Sequence, residues 1–204
     1  MGGRATWPQY QSSIGDRSQL FASITRRWSV ARALYPGSYV DLSPSTAIAA
    51  VTYVDVDRRA AAYFADPEVP AQDLGSAGQA TDIAFLHADY TDGLPLPEAH
   101  YDLLISLYAG LVSEHCARYL RPGGLLLANA SHGDASLAAL EDRWRLVAAV
   151  QQRNNRYRLD EADLDSYLVP KKPSSADPSA IRSAGRGIAY TRQAFAYVFR
   201  LVGP

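Results

Sequence analysis

Residues 101–129, with the sequence YDLLISLYAGLVSEHCARYLRPGGLLLAN, predict two buried strands joined by a helix. Residues 101–107 and 125–128 are almost continuous apolar runs, and the Arg-Pro-Gly-Gly turn at 121–124 closes a helix predicted over 110–120. Apolar runs of this kind, separated by helices, are typical of parallel strands in a sheet that is covered on both faces. This stretch therefore indicates an α/β fold.

The alternation of strand and helix continues toward the N-terminus. The β-branched segment VTYVDV at 51–56 predicts a strand, and residues 30–35 predict another that Pro36 and Gly37 stop. Further predicted elements are a helix with one apolar stripe over 9–29, a helix over 58–65, a loop with a turn of helix over 67–80, a strand over 82–87 and a helix over 136–142. Residues 31–142 are thus predicted to form the core, behind an N-terminal helix within residues 1–30.

The pattern changes after residue 143. Residues 144–151 and 156–160 predict a hairpin around Arg153-Asn154-Asn155, although 144–152 also fit a helix. Residues 171–178 predict a loop, and 195–202 predict a last strand of alternating character. A long insertion before a final strand often forms a substrate-facing cap. We therefore assign residues 143–204 to C-terminal strands with a substrate-side insertion, within a single domain spanning 1–204.

The composition is ordinary for a globular protein. Hydrophobic residues make up 48% of the 204 residues and charged residues 20%. No apolar run approaches the roughly 20 residues that span a bilayer, and the N-terminal sequence lacks the apolar segment of a signal peptide. With a single cysteine, Cys116, the chain forms no intrachain disulfide, which suits a reducing compartment. We expect a cytoplasmic protein that does not contact a membrane.

Charge is distributed unevenly along the chain. Residues 35–142 carry 15 Asp or Glu against 4 Lys or Arg, whereas residues 143–204 carry 11 Lys or Arg against 5 Asp or Glu. An acidic central block beside basic ends suits a cationic cofactor and an anionic substrate. The alternative is that the two parts form solvated faces of opposite sign that pair with each other.

Polar residues follow three of the predicted strands. Open parallel sheets bind ligands beyond the carboxyl ends of their strands. Asp55 ends the strand over 51–56, about 18 residues after the Pro36-Gly37 turn, and a carboxylate there can accept hydrogen bonds from both hydroxyls of a ribose. Asp89 follows the strand over 82–87, where it can bind an adenine amino group. The alternative to a ligand site is that Pro36-Gly37 is an ordinary turn and that the two carboxylates only stabilise loops or cap helices.

These features carry a resemblance to a known superfamily. The turn, the two acidic strand ends, YDLLISLYAG and YLRPGGLLLAN together resemble the class I S-adenosylmethionine-dependent methyltransferases over about residues 30–135. The resemblance implies a Rossmann-like α/β fold with a mostly parallel sheet, helices on both faces, an antiparallel last strand and a C-terminal insertion. It also implies S-adenosylmethionine as cofactor, with Asp55 on the ribose and Asp89 on the adenine. The residues predicted to bind it are Tyr35, Pro36, Gly37, Ser38, Asp55, Val56, Asp89, Tyr90 and Ser106.

The segment after the first strand departs from that superfamily. Its members usually carry a D-x-G-x-G-x-G loop there, whereas YPGSYVDLSPS has one glycine, no acid at the strand end and little room for the usual first helix. Asp41 comes several residues late. The departure keeps open a non-catalytic S-adenosylmethionine- or nucleotide-binding module of the same fold. It also counts against a nicotinamide-dependent oxidoreductase, which needs G-x-G-x-x-G for its pyrophosphate.

Methyl transfer from a sulfonium needs mainly alignment and the exclusion of water, with a base where the acceptor must lose a proton. The polar run at 129–134 follows the strand over 125–128 and contains the best candidates. We predict His132 as a base, Asn129 as a catalytic partner, and Asp134 either as the group that orients His132 or as a helix cap. Tyr108 is a further pocket candidate, with a core aromatic residue as the alternative.

The basic residues of the C-terminal part suggest that the protein binds an anionic partner. Lys171, Lys172, Arg182, Arg186 and Tyr190 lie in a predicted loop-rich insertion, where an arginine could reach an anionic group or simply be solvated. They lack the interleaved aromatic residues of a nucleic-acid surface, so nucleic acid is not supported as a partner. Histidine spacing predicts no metal site, and no G-x-S-x-G elbow predicts a hydrolase. We expect a small-molecule acceptor that is anionic.

Overall fold

Eight strands form one sheet in a computed structural model that describes residues 6–78 and 81–203. The strands are β1 (Arg32–Pro36), β2 (Ala50–Asp55), β3 (Asp82–His87), β4 (Tyr101–Ser106), β5 (Leu120–Ala128), β6 (Trp144–Arg153), β7 (Arg156–Asp160) and β8 (Ala196–Leu201). Their order across the sheet is β3-β2-β1-β4-β5-β8-β6-β7. β1 to β5 run parallel, and β8 runs antiparallel to both β5 and β6. The predicted mostly parallel Rossmann-like sheet with an antiparallel last strand is confirmed.

The strand order places a topological switch point between β1 and β4. From β1 the chain moves outward to β2 and β3, then returns to the other side of β1 to form β4 and β5. The carboxyl ends of these five strands share one edge of the sheet, called the carboxyl edge below. Connections leave a switch point in opposite directions, so a crevice opens there at the carboxyl edge. Pro36 ends β1 on one side of this crevice, and Ser106 ends β4 on the other.

Both faces of the sheet are covered because successive side chains of each strand point to opposite faces. Leu34 and Leu104 pack in one hydrophobic cluster, whereas Tyr35 and Leu103 pack in another, and all four are at most 1% exposed. The covering helices are α1 (Trp7–Ile14), α2 (Ser18–Arg27), α3 (Arg58–Phe64), α4 (Glu68–Leu74), α5 (Val112–Cys116), α6 (Asp134–Ala138) and α7 (Pro178–Ala184). No helix in the described ranges is long and apolar enough to cross a membrane.

The N-terminal helix predicted over 9–29 is in fact two helices. Gly15 takes φ 83° and ends α1, and α2 begins at Ser18 after a change of direction. The apolar stripe misled the prediction because its α2 members, Leu20, Phe21 and Ile24, are indeed fully buried. The break leaves Arg17 in an irregular segment from which its side chain turns inward.

The connection from β1 to β2 contains no α-helix. Only a 3-10 turn at Ser43–Thr46 interrupts residues 37–49, all of which the structure describes. α2, which precedes β1, packs against this turn and against β7. It covers the face that a helix between β1 and β2 would otherwise cover, and this accounts for the short loop seen in the sequence.

Three other predicted elements change their bounds. The helix predicted over 110–120 is shorter, because α5 ends at Cys116 and a 3-10 turn follows at Ala117–Tyr119. β5 begins before the Arg-Pro-Gly-Gly turn rather than after it. The predicted loop over 67–80 contains the seven-residue helix α4, and residues 79 and 80 lie outside the described ranges.

The C-terminal part contains the predicted hairpin. Asn154 and Asn155 take φ 51° and 57°, as a tight two-residue turn between β6 and β7 requires, so the alternative helix over 144–152 is wrong. The insertion between β7 and β8 contains α7 and packs back on the loop after β5, where Gly187 N donates to Ala130 O at 2.9 Å. A Cβ on Gly187 would lie 2.0 Å from that oxygen, so only glycine allows this approach.

Candidate active site

The Pro36-Gly37 turn forms one wall of the crevice. Gly37 takes φ 65°, and its N–H donates to Val54 O at 2.8 Å, which turns the chain sharply at the end of β1. A Cβ on Gly37 would lie 2.5 Å from Ala109 Cβ in the loop after β4. The two loops that flank the crevice therefore touch, and Gly37 is what permits the contact.

Asp55 stands half-buried at the carboxyl end of β2 with both oxygens oriented. Tyr39 N donates to Oδ2 at 2.7 Å and Asp57 N donates to Oδ1 at 2.8 Å. A carboxylate has about four acceptor positions, so each oxygen retains one after these bonds. The loop after β1 and the start of α3 thus fix a carboxylate that can still accept two hydroxyl groups.

Asp89 lies at the end of the next strand and is exposed. Thr91 donates both its N–H (2.9 Å) and its hydroxyl (2.7 Å) to Oδ1, and these bonds hold the pKa of Asp89 below its usual value. Oδ2 accepts no hydrogen bond from the described residues. Val56 follows Asp55 in the sequence, and its apolar side chain is 60% exposed. The carbonyl oxygen of Val56 lies 3.0 Å from His87 Nε2.

Tyr90 holds the loop after β4 in place. Its hydroxyl donates to Ala109 O at 2.6 Å, and a Cβ on Gly110 would lie 2.6 Å from that same hydroxyl. Burial raises the pKa of Tyr90 to about 12, and the nearby Asp134 and Cys116 add to the effect. The phenol therefore stays protonated and donating at neutral pH.

Three predicted catalytic residues, Tyr108, Asn129 and His132, are linked through Asn129 Oδ1 and the hydroxyl of Ser131. Asn129 Oδ1 accepts from Tyr108 N at 3.3 Å and from Ser131 Oγ at 2.8 Å, and Ser131 Oγ lies 2.9 Å from His132 Nδ1. Asn129 is 4% exposed, and its Nδ2 has no partner among the described residues. His132 is exposed, so its ring stands at the rim of the site with Nδ1 fixed and Nε2 turned away from Ser131.

Tyr108 lies in strained backbone at the crevice. It takes φ 62°, a region that few residues other than glycine adopt, and its ring is 50% exposed. The guanidinium of Arg17 lies 5.3 Å from the centre of that ring. Tyr108 is thus a surface residue of the crevice and not the core aromatic residue of the alternative interpretation.

Asp134 neither orients His132 nor caps its own helix. It is 1% exposed, and its carboxylate accepts from Ser113 N at 3.1 Å and from the Ser113 hydroxyl. Burial raises its pKa, and the hydrogen bonds from Ser113 offset only part of this effect. Gly133, at φ 96°, occupies the N-cap of α6. Asp134 therefore ties α5 to α6 beneath the crevice.

A buried ion pair that the sequence did not reveal supports the loop after β1. Arg17 Nη1 lies 3.0 Å from Asp41 Oδ2, and the two residues are 4% and 0% exposed. Tyr35 Oη donates to the same oxygen at 3.2 Å, while Ser43 donates its N–H and hydroxyl to Oδ1. These bonds engage both oxygens of Asp41, so this carboxylate stabilises the loop after β1 rather than binding a ligand. The side chain of Tyr35 is fully buried in this network.

Ser38 and Ser106 also lie under the crevice, each 1% exposed. Ser38 Oγ donates to Tyr39 O at 3.3 Å, which leaves its role local to the turn. Of the basic residues in the insertion, Lys171, Lys172 and Arg186 line a cavity of about 570 Å³, but Arg182 pairs with Glu114. Tyr190 is buried, with its hydroxyl donating to Ser136 Oγ at 2.7 Å.

Groups of three or more His, Cys, Asp or Glu side chains that could hold a metal ion do not occur within 6–78 and 81–203.

No protein-family model matches the chain, and no curated protein matches it. Among solved structures, a methyltransferase from Geobacter sulfurreducens is 17% identical over 76% of this chain and 86% of its own, with a TM-score of 0.51. The N-methyltransferase NodS from Bradyrhizobium japonicum WM9 is 12% identical over 96% and 98%, with a TM-score of 0.51. The [4+2]-cyclase SpnF is 16% identical over 100% and 85%, also with a TM-score of 0.51.

This likeness is one of fold. The chain has the Rossmann-like fold of the class I S-adenosylmethionine-dependent methyltransferases, as the sequence resemblance implied. The cyclase shows that a similar fold also serves a protein named for a different reaction. Function must therefore be argued from the residues of the site.

Proposed function

We propose that this protein transfers a methyl group from S-adenosylmethionine to a small-molecule acceptor at the crevice between β1 and β4. The observation that carries the proposal is Asp55, a carboxylate fixed by two backbone N–H groups at the carboxyl end of β2 with acceptor capacity to spare. Its position beside a topological switch point is where an α/β sheet of this order binds nucleosides.

The residues around Asp55 fit the rest of such a cofactor. Asp89 Oδ2 is available to the adenine amino group, and exposed Val56 offers an apolar surface to the ring. The Pro36-Gly37-Ser38 turn and Ser106 border the methionine end, supported from below by Tyr35 and the Arg17–Asp41 pair. Tyr90 contributes by holding the loop that closes this end.

The bound cofactor would supply an activated methyl group, so the protein has to position the acceptor and exclude water. Tyr108 lies at the crevice with its backbone N–H bonded to Asn129, and the insertion packs on the loop after β5. Holding the two reactants in line contributes on the order of 7–11 kcal/mol in well-oriented systems. Where the acceptor must lose a proton, His132 takes it on Nε2, because Ser131 and Asn129 hold Nδ1.

Calorimetric titration tests cofactor binding directly. We expect micromolar binding of S-adenosylmethionine and S-adenosylhomocysteine, no comparable binding of NAD, and loss of binding in Asp55→Ala. Binding of NAD alone would instead indicate an oxidoreductase, and binding of none of the three would reject the proposal.

The role of His132 needs a separate measurement. We expect His132→Gln to bind S-adenosylhomocysteine as the unmodified protein does. With an acceptor that must lose a proton during transfer, the substitution should lower kcat by about 10²–10⁴-fold. His100→Gln is the matched control, because His100 lies at the opposite end of β4 from the crevice. Equal loss of activity in both variants would show that His132 is no base.

A second function is favoured by the contact between Gly37 and Ala109. Because these loops touch beside the methionine end, the protein can be a non-catalytic S-adenosylmethionine-binding module. Micromolar binding without turnover across acceptors that carry amine, hydroxyl, thiol and carboxylate groups would favour the module. Turnover of any of them would favour the methyltransferase.

A further inference from the structure

The hairpin of β6 and β7 extends beyond the carboxyl edge. Ala149 of β6, Tyr197 of β8 and Ala128 of β5 lie in one row across the sheet, and Ala128 is the last residue of β5. After Val150, which pairs with Ala196, β6 pairs only with β7. Arg153 lies four residues beyond the row, or about 13 Å at the usual rise of a strand. The hairpin therefore stands as a wall at the carboxyl edge, separated from β4 by β5 and β8.

One face of this wall is positively charged. Arg153 and Arg156 are directly opposite each other, and so are Gln151 and Arg158, which places all four side chains on the same face. We call these four residues the arginine face. Like charges directly opposite each other on neighbouring strands are destabilising. The pairing of Arg153 with Arg156 is therefore unfavourable unless an anion lies between them.

The carboxylates nearby do not supply that anion. Asp160 Oδ2 is 2.8 Å from Arg192 and accepts from Tyr167 at 2.7 Å, whereas Arg158 is 3.9 Å away. Arg153 and Arg156 form no ion pair with any described residue. Two exposed guanidinium groups thus remain available, with Arg158 only weakly neutralised.

A cavity of about 1130 Å³ is lined by all four residues of the arginine face. Its lining includes Tyr157 and Gln19, which are joined by a hydrogen bond of 3.1 Å from Tyr157 N to Gln19 Oε1. Gln19 is two residues from Arg17, whose guanidinium lies over the Tyr108 ring. The cavity therefore borders both the arginine face and α2.

We propose that the arginine face binds a carboxylate or phosphate group of the methyl acceptor, with Arg153 and Arg156 as the two main contacts. The inference rests on the proposed function, and it defines the acceptor as a small anionic molecule. Guanidinium groups bind both kinds of anion through paired hydrogen bonds, which gives orientation as well as affinity. With its anionic group held at the hairpin, the acceptor would extend along the carboxyl edge, beyond which β6 projects, toward the crevice.

Anion binding can be measured without knowing the acceptor. The probes are inorganic pyrophosphate and citrate, titrated by calorimetry at low ionic strength into the unmodified protein, Arg153→Gln/Arg156→Gln and Arg26→Gln. Arg26 is an exposed arginine of α2 with no ion pair among the described residues, so it controls for the loss of a positive surface charge away from the hairpin. We expect one or both probes to bind, with affinity about tenfold or more weaker in the double variant and unchanged in Arg26→Gln. Preference for pyrophosphate or for citrate then identifies the acceptor as a phosphate or a carboxylate.

Two results would overturn the inference: no binding of either probe, or equal weakening in the double variant and in Arg26→Gln. S-adenosylhomocysteine is titrated into the same three proteins and should bind equally. If it binds to none of them while the probes still depend on Arg153 and Arg156, the proposed function fails and the anion site stands.

Discussion

Arg17 Nη1 lies 3.0 Å from Asp41 Oδ2 in the interior of the protein, and both side chains are almost completely buried. The pair joins the start of α2 to the loop between β1 and β2, a loop without its own α-helix. Four hydrogen bonds converge on the Asp41 carboxylate, one each from Arg17 and Tyr35 and two from Ser43. This network fixes the loop whose Tyr39 N–H orients Asp55.

Arg17→Ala is expected to lower the free energy of unfolding by about 3–5 kcal/mol, because it leaves a buried carboxylate without its counter-charge. Arg26→Ala on the exposed side of α2 should change it by less than about 0.5 kcal/mol. Urea denaturation at pH 7 measures both. A loss in Arg17→Ala no larger than that in Arg26→Ala would show that the pair does not stabilise the fold.

Gly37→Ala is expected to destabilise the protein more than Gly185→Ala. Both glycines have positive φ, 65° and 59°, so both substitutions incur a backbone cost of about 1 kcal/mol. Only Gly37 also faces a close neighbour, since its Cβ would lie 2.5 Å from Ala109 Cβ, whereas nothing lies within 4 Å of a Cβ on Gly185. The additional loss should be about 1–3 kcal/mol in urea denaturation. Equal losses of unfolding free energy in the two variants would mean that the loop after β4 moves away from the new Cβ without destabilising the fold.

Sequence patterns predicted the sheet well because the strands are apolar on both faces. The run LLIS at the carboxyl end of β4 is fully buried, as a continuous apolar segment between helices predicts. The acidic strand ends and the hairpin at Asn154-Asn155 were likewise visible, since turn residues and β-branched residues act locally.

The buried charges were not predictable in the same way. Arg17 is one polar residue inside the helix predicted over 9–29, and only the tertiary contact with Asp41, 24 residues later, explains its burial. Asp134 looked like a helix cap because capping is the common role of an acid at that position. Its real partner, Ser113, lies 21 residues away in the sequence. Long-range pairing of polar groups leaves no periodic signal in one sequence.

Asp102 gives a prediction on pH. Its carboxylate accepts from Ala31 N and Arg32 N at 2.8 Å and from Arg121, and although burial raises its pKa, these bonds lower it overall. Because the pKa of Asp102 is lower in the folded protein than in the unfolded chain, its carboxylate stabilises the fold above about pH 4. This stabilisation is lost as the pH falls through the pKa of Asp102 in the folded protein. Asp102→Ala should cost about 1–3 kcal/mol at pH 7.

Denaturant unfolding of Asp102→Ala and the unmodified protein from pH 7 to pH 2.5 checks this dependence. The difference in free energy between them should shrink as the pH falls below 4. Asp142→Ala, at an exposed carboxylate, should show no comparable difference at any pH. A difference that stays constant or grows in acid would contradict the assigned bonds.

The most direct measurement is the affinity for S-adenosylhomocysteine of Asp55→Asn compared with Asp57→Asn. Both variants remove one negative charge, and asparagine remains a good N-cap at position 57, where the side chain accepts from Arg59 N. Only Asp55→Asn replaces an acceptor oxygen facing the crevice with a donor. We predict that its affinity falls by about 10- to 100-fold while that of Asp57→Asn stays within about threefold. Undiminished binding by Asp55→Asn, with its fold intact, would contradict a nucleoside site at this carboxylate.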